Sequence, residues 1–183
     1  AELYEHFKTI AEAIPNTPVL LYNNPGRVGY GMTADFVERI AHDVENIVGM
    51  KDTSGDMTLT SEFIRRNRDI GFKVFGGKDT LLYSSLCVGA VGGVCTAGNF
   101  MPELIMDIYN KFMAGDIKGS LEAQFKLNPV RLSMDKASFP VSAKDMAGYR
   151  GLKVGKPYRP SLPTPEGAAM DAMKKAMKEA GLI

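Results

Sequence analysis

The sequence predicts an α/β fold: about four βα units forming half of a (β/α)8 TIM barrel, then a helical C-terminal extension. Three observations lead there. Short apolar runs alternate with helical periodicities through the first 115 residues, the pattern of parallel strands joined by right-handed crossovers. Four strands cannot close an eight-stranded barrel, which takes about 250 residues, whereas the chain has 183. A four-stranded doubly wound domain would also fit that length. However, the glycines from Gly89 to Gly98 lack the G-x-G-x-x-G frame that a dinucleotide site requires.

The elements follow in order. Leu3, Phe7, Ile10, Ala11 and Ile14 recur at helical spacing, predicting an amphipathic helix that ends near Pro15. Val19–Tyr22 reads as a short buried strand closed by the loop Asn23–Arg27. Thr33 is placed to cap a helix carrying Phe36, Val37, Ile40 and Ala41. Ile47–Lys51 is the next strand, and a helix with Leu59, Phe63 and Ile64 on one face follows it. Phe72–Phe75 is a third strand with Gly76–Asp79 as its loop, and Asp79 or Thr80 can cap a short helix through Leu82 and Leu86. Ala90–Thr96 reads as a glycine-rich fourth strand, and Pro102 opens a helix through Leu104, Ile105, Ile108, Tyr109 and Phe112.

From Asp116 the chain reads as helices only, so the expected division is 1–115 for the barrel half and 116–183 for the extension. Leu121, Phe125 and Leu132 fit an apolar stripe, and Lys153–Pro165 reads as an extended crossing segment. Thr164-Pro165-Glu166 starts a last helix with Met170, Met173 and Met177 inward and Gly181 past its end; methionines so spaced point to packing.

Lys+Arg number 22 against Asp+Glu 21, a net charge of +1. That balance carries no electrostatic footprint for nucleic acid. No apolar run reaches bilayer-spanning length, and no signal-peptide pattern opens the chain. The absence of an initiator methionine leads us to expect residues upstream. Cys87 and Cys95 follow neither metal-ligand nor disulfide spacing; we expect small core residues in a reducing, cytoplasmic setting. With only His6 and His42, both expected at the surface, neither a zinc site nor a Ser-His-Asp arrangement is expected.

The run Ile47–Asp56 concentrates the chemistry. By alternation Ile47, Gly49 and Lys51 share one strand face, with Gly49 leaving room beside the lysine stem. A lysine ending a barrel strand sits where such folds build active sites, and partial burial would lower its pKa and make it a nucleophile for carbonyls. The alternative is a solvated lysine. Tyr22 ends the preceding strand on the same rim, about 4.8 Å away by strand spacing, where a phenol can relay protons for Schiff-base formation; alone, it reads as a core tyrosine. Arg27 could hold a carboxylate by two parallel hydrogen bonds, or be an exposed loop residue. Asn23 and Asn24 are expected to set turn geometry, and Asp52 and Asp56 to stabilise the next helix N-terminus.

Three blocks give a resemblance: Leu21–Gly29 (LYNNPGRVG), Val48–Asp56 (VGMKDTSGD), and Gly76–Asp79 (GGKD) with Gly89–Val94 (GAVGGV). In order and spacing they resemble the dihydrodipicolinate synthase / N-acetylneuraminate lyase superfamily of pyruvate-dependent aldolases, over essentially the whole chain and corresponding to that family's C-terminal portion. The resemblance implies a TIM barrel, a homo-oligomer (dimer or tetramer), and small-molecule substrates, a 2-oxo acid and an aldehyde. It implies Lys51 as the Schiff-base lysine and Tyr22 as the catalytic tyrosine. Arg27 would bind the second substrate's carboxylate, the Val94 carbonyl would line the site, and Thr53 and Gly77 would bind substrate. No metal or cofactor is implied beyond the covalent imine on Lys51.

Arg27 favours the synthase branch, which joins pyruvate to aspartate semialdehyde. Lys78 and the segment Ser138–Ser142 depart from the synthase pattern, Lys78 from the lyase pattern as well, and the run Asp52–Asp56 resembles the alternative, a 2-oxo-3-deoxy sugar-acid or N-acetylneuraminate-type aldolase. A non-catalytic half-barrel paralogue is the non-enzyme alternative.

Overall fold

The computed structural model describes residues 1–155 and 166–183. These form two compact units, Ala1–Val94 and Cys95–Ile183.

The first unit is a parallel four-stranded sheet in the order β1 (Val19–Asn23), β2 (Ile47–Asp52), β3 (Lys73–Gly76) and β4 (Gly92–Gly93). Helices α1 (Glu2–Glu12), α2 (Pro25–Val28), α3 (Ala34–Asp43), α4 (Met57–Asn67) and α5 (Leu82–Cys87) precede, link or follow the strands. Parallel strands in sequence order joined by helices are the expected βα arrangement. Thr33 caps α3 by accepting from the Phe36 N–H at 3.2 Å, as its position in the sequence predicts. The fourth strand is shorter than Ala90–Thr96. Only Gly92 and Gly93 join the ladder, though Val91 N–H still donates to Val74 O and Val94 N–H to Gly76 O, both at 2.9 Å.

One face of the sheet is packed. Leu21, Met50 and Val74 lie side by side on adjacent strands and are buried with Ile40, Ile47 and Phe63. Each such side chain contributes about 1.5–3 kcal/mol by leaving water. Arg66 of α4 straps the helix layer, pairing with Glu38 and Asp35 of α3 and with Glu62 of its own helix. Hydrogen bonds from Arg65 and Arg66 hold the Glu62 carboxyl down at about 2.

The opposite face carries Leu20, Tyr22 and Val48, all exposed. Here the structure corrects the simple alternation. The register slips between Val19 and Leu20, so Val19 faces Ile47 but Leu20 faces Gly49. Val48 is the extra residue of this bulge. Ile47 consequently lies in the helix-side core instead of sharing a face with Gly49 and Lys51. Gly49 is also explained differently: a Cβ there would strike the Lys73 carbonyl oxygen of β3 and the Leu20 side chain. The close approach of neighbouring strands, more than space for the lysine stem, requires the glycine.

The second unit begins at Cys95 and contains α6 (Pro102–Met113), α7 (Ile117–Ser133), α8 (Val141–Tyr149) and α9 (Gly167–Glu179). By sequence order α6 would complete the fourth βα unit, but it packs against α7, and Ser120 Oγ donates to Ile108 O at 2.7 Å between them. α7 buries Ala123, Leu127 and Val130, whereas Phe125 and Leu132 of the expected stripe point to solvent. α7 is apolar on more than one side, so spacing alone could not select the inner one. Met173 and Met177 are buried on α9 as expected, with Met170 partly so. The expected segment Lys153–Pro165 and the start of the last helix fall largely on residues 156–165, outside the described residues.

His6 and His42 are exposed, as expected. Cys87 is exposed and Cys95 partly so, against the expectation of core residues. α5 turns Leu82, Ser85 and Leu86 inward, which puts Cys87 on its outer side.

Candidate active site

Parallel register brings two rows of residues to the C-terminal ends of the strands. Tyr22, Lys51, Phe75 and Gly92 form one row, and Asn23, Asp52, Gly76 and Gly93 the next. Successive residues face opposite sides, so the first row belongs to the open face and the second to the packed one.

On the open face the Lys51 Nζ lies 4.3 Å from the centroid of the Tyr22 ring, within cation–π range. Lys51 is partly buried and Tyr22 exposed. Asn24 Nδ2 donates to the Tyr22 hydroxyl at 3.0 Å. Thr53 Oγ1 is buried and completes no hydrogen bond of normal geometry, yet it lies close enough to the phenol to favour its ionised form. Burial alone would push the Tyr22 phenol up. The proximity of Thr53 and Lys51, the Lys51 charge and the Asn24 amide together outweigh it, and the phenol ends below the ordinary tyrosine value.

Gly77 closes this corner. A Cβ at Gly77 would overlap Thr53 Oγ1 and reach Asp52 O at 2.8 Å and Lys51 Cε at 3.0 Å. Only a glycine lets the β3 loop lie against the lysine stem. Its N–H donates to Asp52 O at 2.7 Å. Val94 is exposed beside it, tied to Gly76 O through its own N–H. Lys51, Tyr22, Thr53 and Gly77 are therefore in one cluster with Val94 at its border. Arg27 lies on exposed α2, which occupies part of the expected loop.

The packed side supplies the anchor. Asp52 is buried and accepts from Asn23 Nδ2 (2.9 Å), Ser54 N (3.0 Å), Ser54 Oγ (2.9 Å) and Thr60 Oγ1 (2.6 Å). Asn23 Oδ1 in turn accepts from Met32 N at 3.0 Å. This network ties the ends of β1 and β2 to α4 and to the turn after α2, and so fixes the backbone that presents Tyr22 and Lys51. Asp52 does more than favour a helix terminus; Asp56 is the residue that caps α4, accepting from Leu59 N at 3.1 Å. The sequence signal for this role was alternation. Asp52 follows Lys51, so it must enter the core and find donors, and Ser54 two residues on is a natural one. Asn24, read as a turn residue, is the donor to the phenol.

Among the described residues no cluster of His, Cys, Asp or Glu could hold a metal ion, and no helix is long and apolar enough to cross a membrane.

The model of the Dihydrodipicolinate synthetase family matches residues 1–180. The chain belongs to the dihydrodipicolinate synthetase family. It is 34% identical over 181 residues to the 4-hydroxy-tetrahydrodipicolinate synthase of Acaryochloris marina, covering 99% of this chain and 60% of that protein. It is also 34% identical over 185 residues to an uncharacterized DapA-like lyase of Thermoplasma acidophilum, covering 97% of this chain and 59% of that one. Among solved members of the family, the enzyme from Cyanidioschyzon merolae with lysine bound superposes with a TM-score of 0.91 at 30% identity, over 100% of this chain and 61% of the other. A Bacillus anthracis dihydrodipicolinate synthase gives 0.88 at 33% identity, over 96% and 59%. The chain thus spans about 60% of the length of these family members, and its α/β parallel-sheet fold is theirs.

Proposed function

We propose that this chain supplies the second half of a (β/α)8 barrel and its helical extension, divided at about 115/116, in an enzyme that joins or cleaves a 2-oxo acid and an aldehyde through an imine on Lys51. The Lys51 amine attacks the ketone of pyruvate, forming a carbinolamine. Tyr22 donates a proton to the departing hydroxyl, and water leaves. The protonated imine withdraws electrons, the neighbouring carbon loses a proton, and the resulting enamine adds to the aldehyde. The imine is itself the electron sink, so this chemistry calls for no metal or organic cofactor. Arg27 would meet a carboxylate of the aldehyde, and Val94, Thr53 and Gly77 would border the pocket. The favoured assignment is a 4-hydroxy-tetrahydrodipicolinate synthase type, condensing pyruvate with aspartate semialdehyde, in a cytoplasmic homo-oligomer. Names among the relatives and Arg27 support it. A sugar-acid aldolase is the second reading, favoured by the run Asp52–Asp56 after β2.

The observation that carries the proposal is the 4.3 Å approach of Lys51 Nζ to the Tyr22 ring at the C-terminal end of adjacent parallel strands. Borohydride reduction with pyruvate tests it in the full-length protein. A stable adduct mapped to Lys51 is expected, and none in Lys51→Ala. Tyr22→Phe should slow adduct formation by about a hundredfold. An adduct that persists in Lys51→Ala would remove the assignment, and absence of any adduct would leave the non-catalytic reading.

A further inference from the structure

We propose that Asn24 is a positioning residue for the proton donor: its side-chain amide holds the Tyr22 phenol oxygen as an acceptor, so that the phenol's own proton is kept for transfer at Lys51. The inference rests on the imine reading above and adds a residue that acts through Tyr22.

Tyr22, Asn23 and Asn24 follow one another at the end of β1, and alternation sends the first and third to one side. Asn23 is 1% exposed, turns to the packed side and donates to Asp52. Asn24 is partly buried, and its Nδ2 donates to the Tyr22 hydroxyl at 3.0 Å. Asn24 is also the residue at which α2 starts. An asparagine there ordinarily spends its side chain on the helix, accepting from a backbone N–H two or three residues on. Asn24 makes no such bond. Its main-chain carbonyl accepts from Arg27 N at 2.9 Å and from Val28 N at 3.2 Å, and Pro25 at the head of the helix has no N–H to satisfy. The backbone alone therefore starts α2, and the side chain is left for the phenol.

The direction of that hydrogen bond has a chemical consequence. An amide nitrogen donates and has no lone pair to offer. A phenol that accepts from it cannot return its proton to the same atom, so the proton points elsewhere. Beside the phenol are Thr53 and the Lys51 amine, whose Nζ is 4.3 Å from the ring centroid. When the phenol protonates the hydroxyl that leaves the carbinolamine, its O–H bond breaks and the electron pair stays on the phenol oxygen. The proton departs in the water that is released. The Asn24 N–H then donates to an anion, and the hydrogen bond strengthens as the charge develops. Burial works against the ionised phenol, and Thr53, Lys51 and Asn24 work for it.

The test compares Asn24→Asp and Asn24→Leu in the full-length protein, each with and without Tyr22→Phe. Aspartate caps helices as well as asparagine does, so Asn24→Asp preserves the start of α2 while replacing the donor by a charged acceptor. It should move the Tyr22 titration upward, read as the ultraviolet difference from the same protein carrying Tyr22→Phe. It should also slow formation of the borohydride-trapped pyruvate adduct about tenfold. Asn24→Leu removes the donor without adding a charge and should slow the adduct about threefold. Neither substitution should slow the Tyr22→Phe protein further. A rate and a titration unchanged by Asn24→Asp overturn the inference. So does an equal slowing in the Tyr22→Phe background, which would mark a role in the loop and not at the phenol. The adduct at Lys51 of the wild-type protein separates the two claims. With the adduct present and its rate indifferent to Asn24→Asp, Asn24 alone is misassigned; with no adduct, the imine reading fails and this one fails with it.

Discussion

The two faces of the β1–β2 pair are built from alternate residues of the same strands, yet they differ in almost every respect. Leu21 and Met50 are 1% and 0% exposed against the helices, whereas Leu20 and Tyr22 on the other side are 49% and 47% exposed. Asp52 on the packed side accepts from Asn23, Ser54 and Thr60, while Lys51 one residue earlier lies against the Tyr22 ring. One face thus holds the fold together, and the other is left with groups whose interactions are incomplete.

The strongest way to break this contrast is to truncate matched residues on each side. Met50→Ala should cost the 183-residue chain about 2–5 kcal/mol, read from the shift of its urea midpoint. Leu20→Ala should cost about 1 kcal/mol or less, since half of that side chain already meets water. Equal losses would show that the outer face is packed after all.

Asp52→Ala comes next. It strands the donors of Asn23, Ser54 and Thr60 and should cost about 3 kcal/mol in the same measurement. If Asp52 also positions the lysine, the variant that remains folded will form the pyruvate adduct more slowly. An unaltered rate would make Asp52 purely a stabilising residue.

The smallest effect concerns the phenol. Tyr22 lies below the ordinary value of 10 in spite of burial, because Thr53, Lys51 and Asn24 favour the phenolate. Its phenolate should therefore appear at lower pH than that of a free tyrosine in an ultraviolet difference titration. Any stability linked to it is present above pH 10 and is lost as pH falls through the folded value. Lys51→Met removes a charge and a donor but not the burial, so the titration should move upward. No movement would mean that the amine and the phenol do not interact in solution.

How much of this was legible in the sequence varied with how local the cause was. The Tyr22–Lys51 meeting followed from two short strands in succession, because parallel neighbours place their ends side by side. The Thr33 cap, the buried face of α3 and the inward methionines of α9 were equally local. What escaped depended on contacts between distant segments. The need for Gly49 lies in the Lys73 carbonyl on another strand, and the role of Asp52 in Asn23 and Thr60. The shortness of β4 and the orientation of α7 were set by packing partners that periodicity does not name.

The bulge at Val48 has a consequence for how such a strand can change. It absorbs one residue near the buried start of β2 without turning Lys51 to the other side. Where the strand begins and where it ends are thereby phased separately. Drift in chain length at the N-terminal ends of the strands need never reach the amine, and loops there can vary while Lys51 keeps its direction.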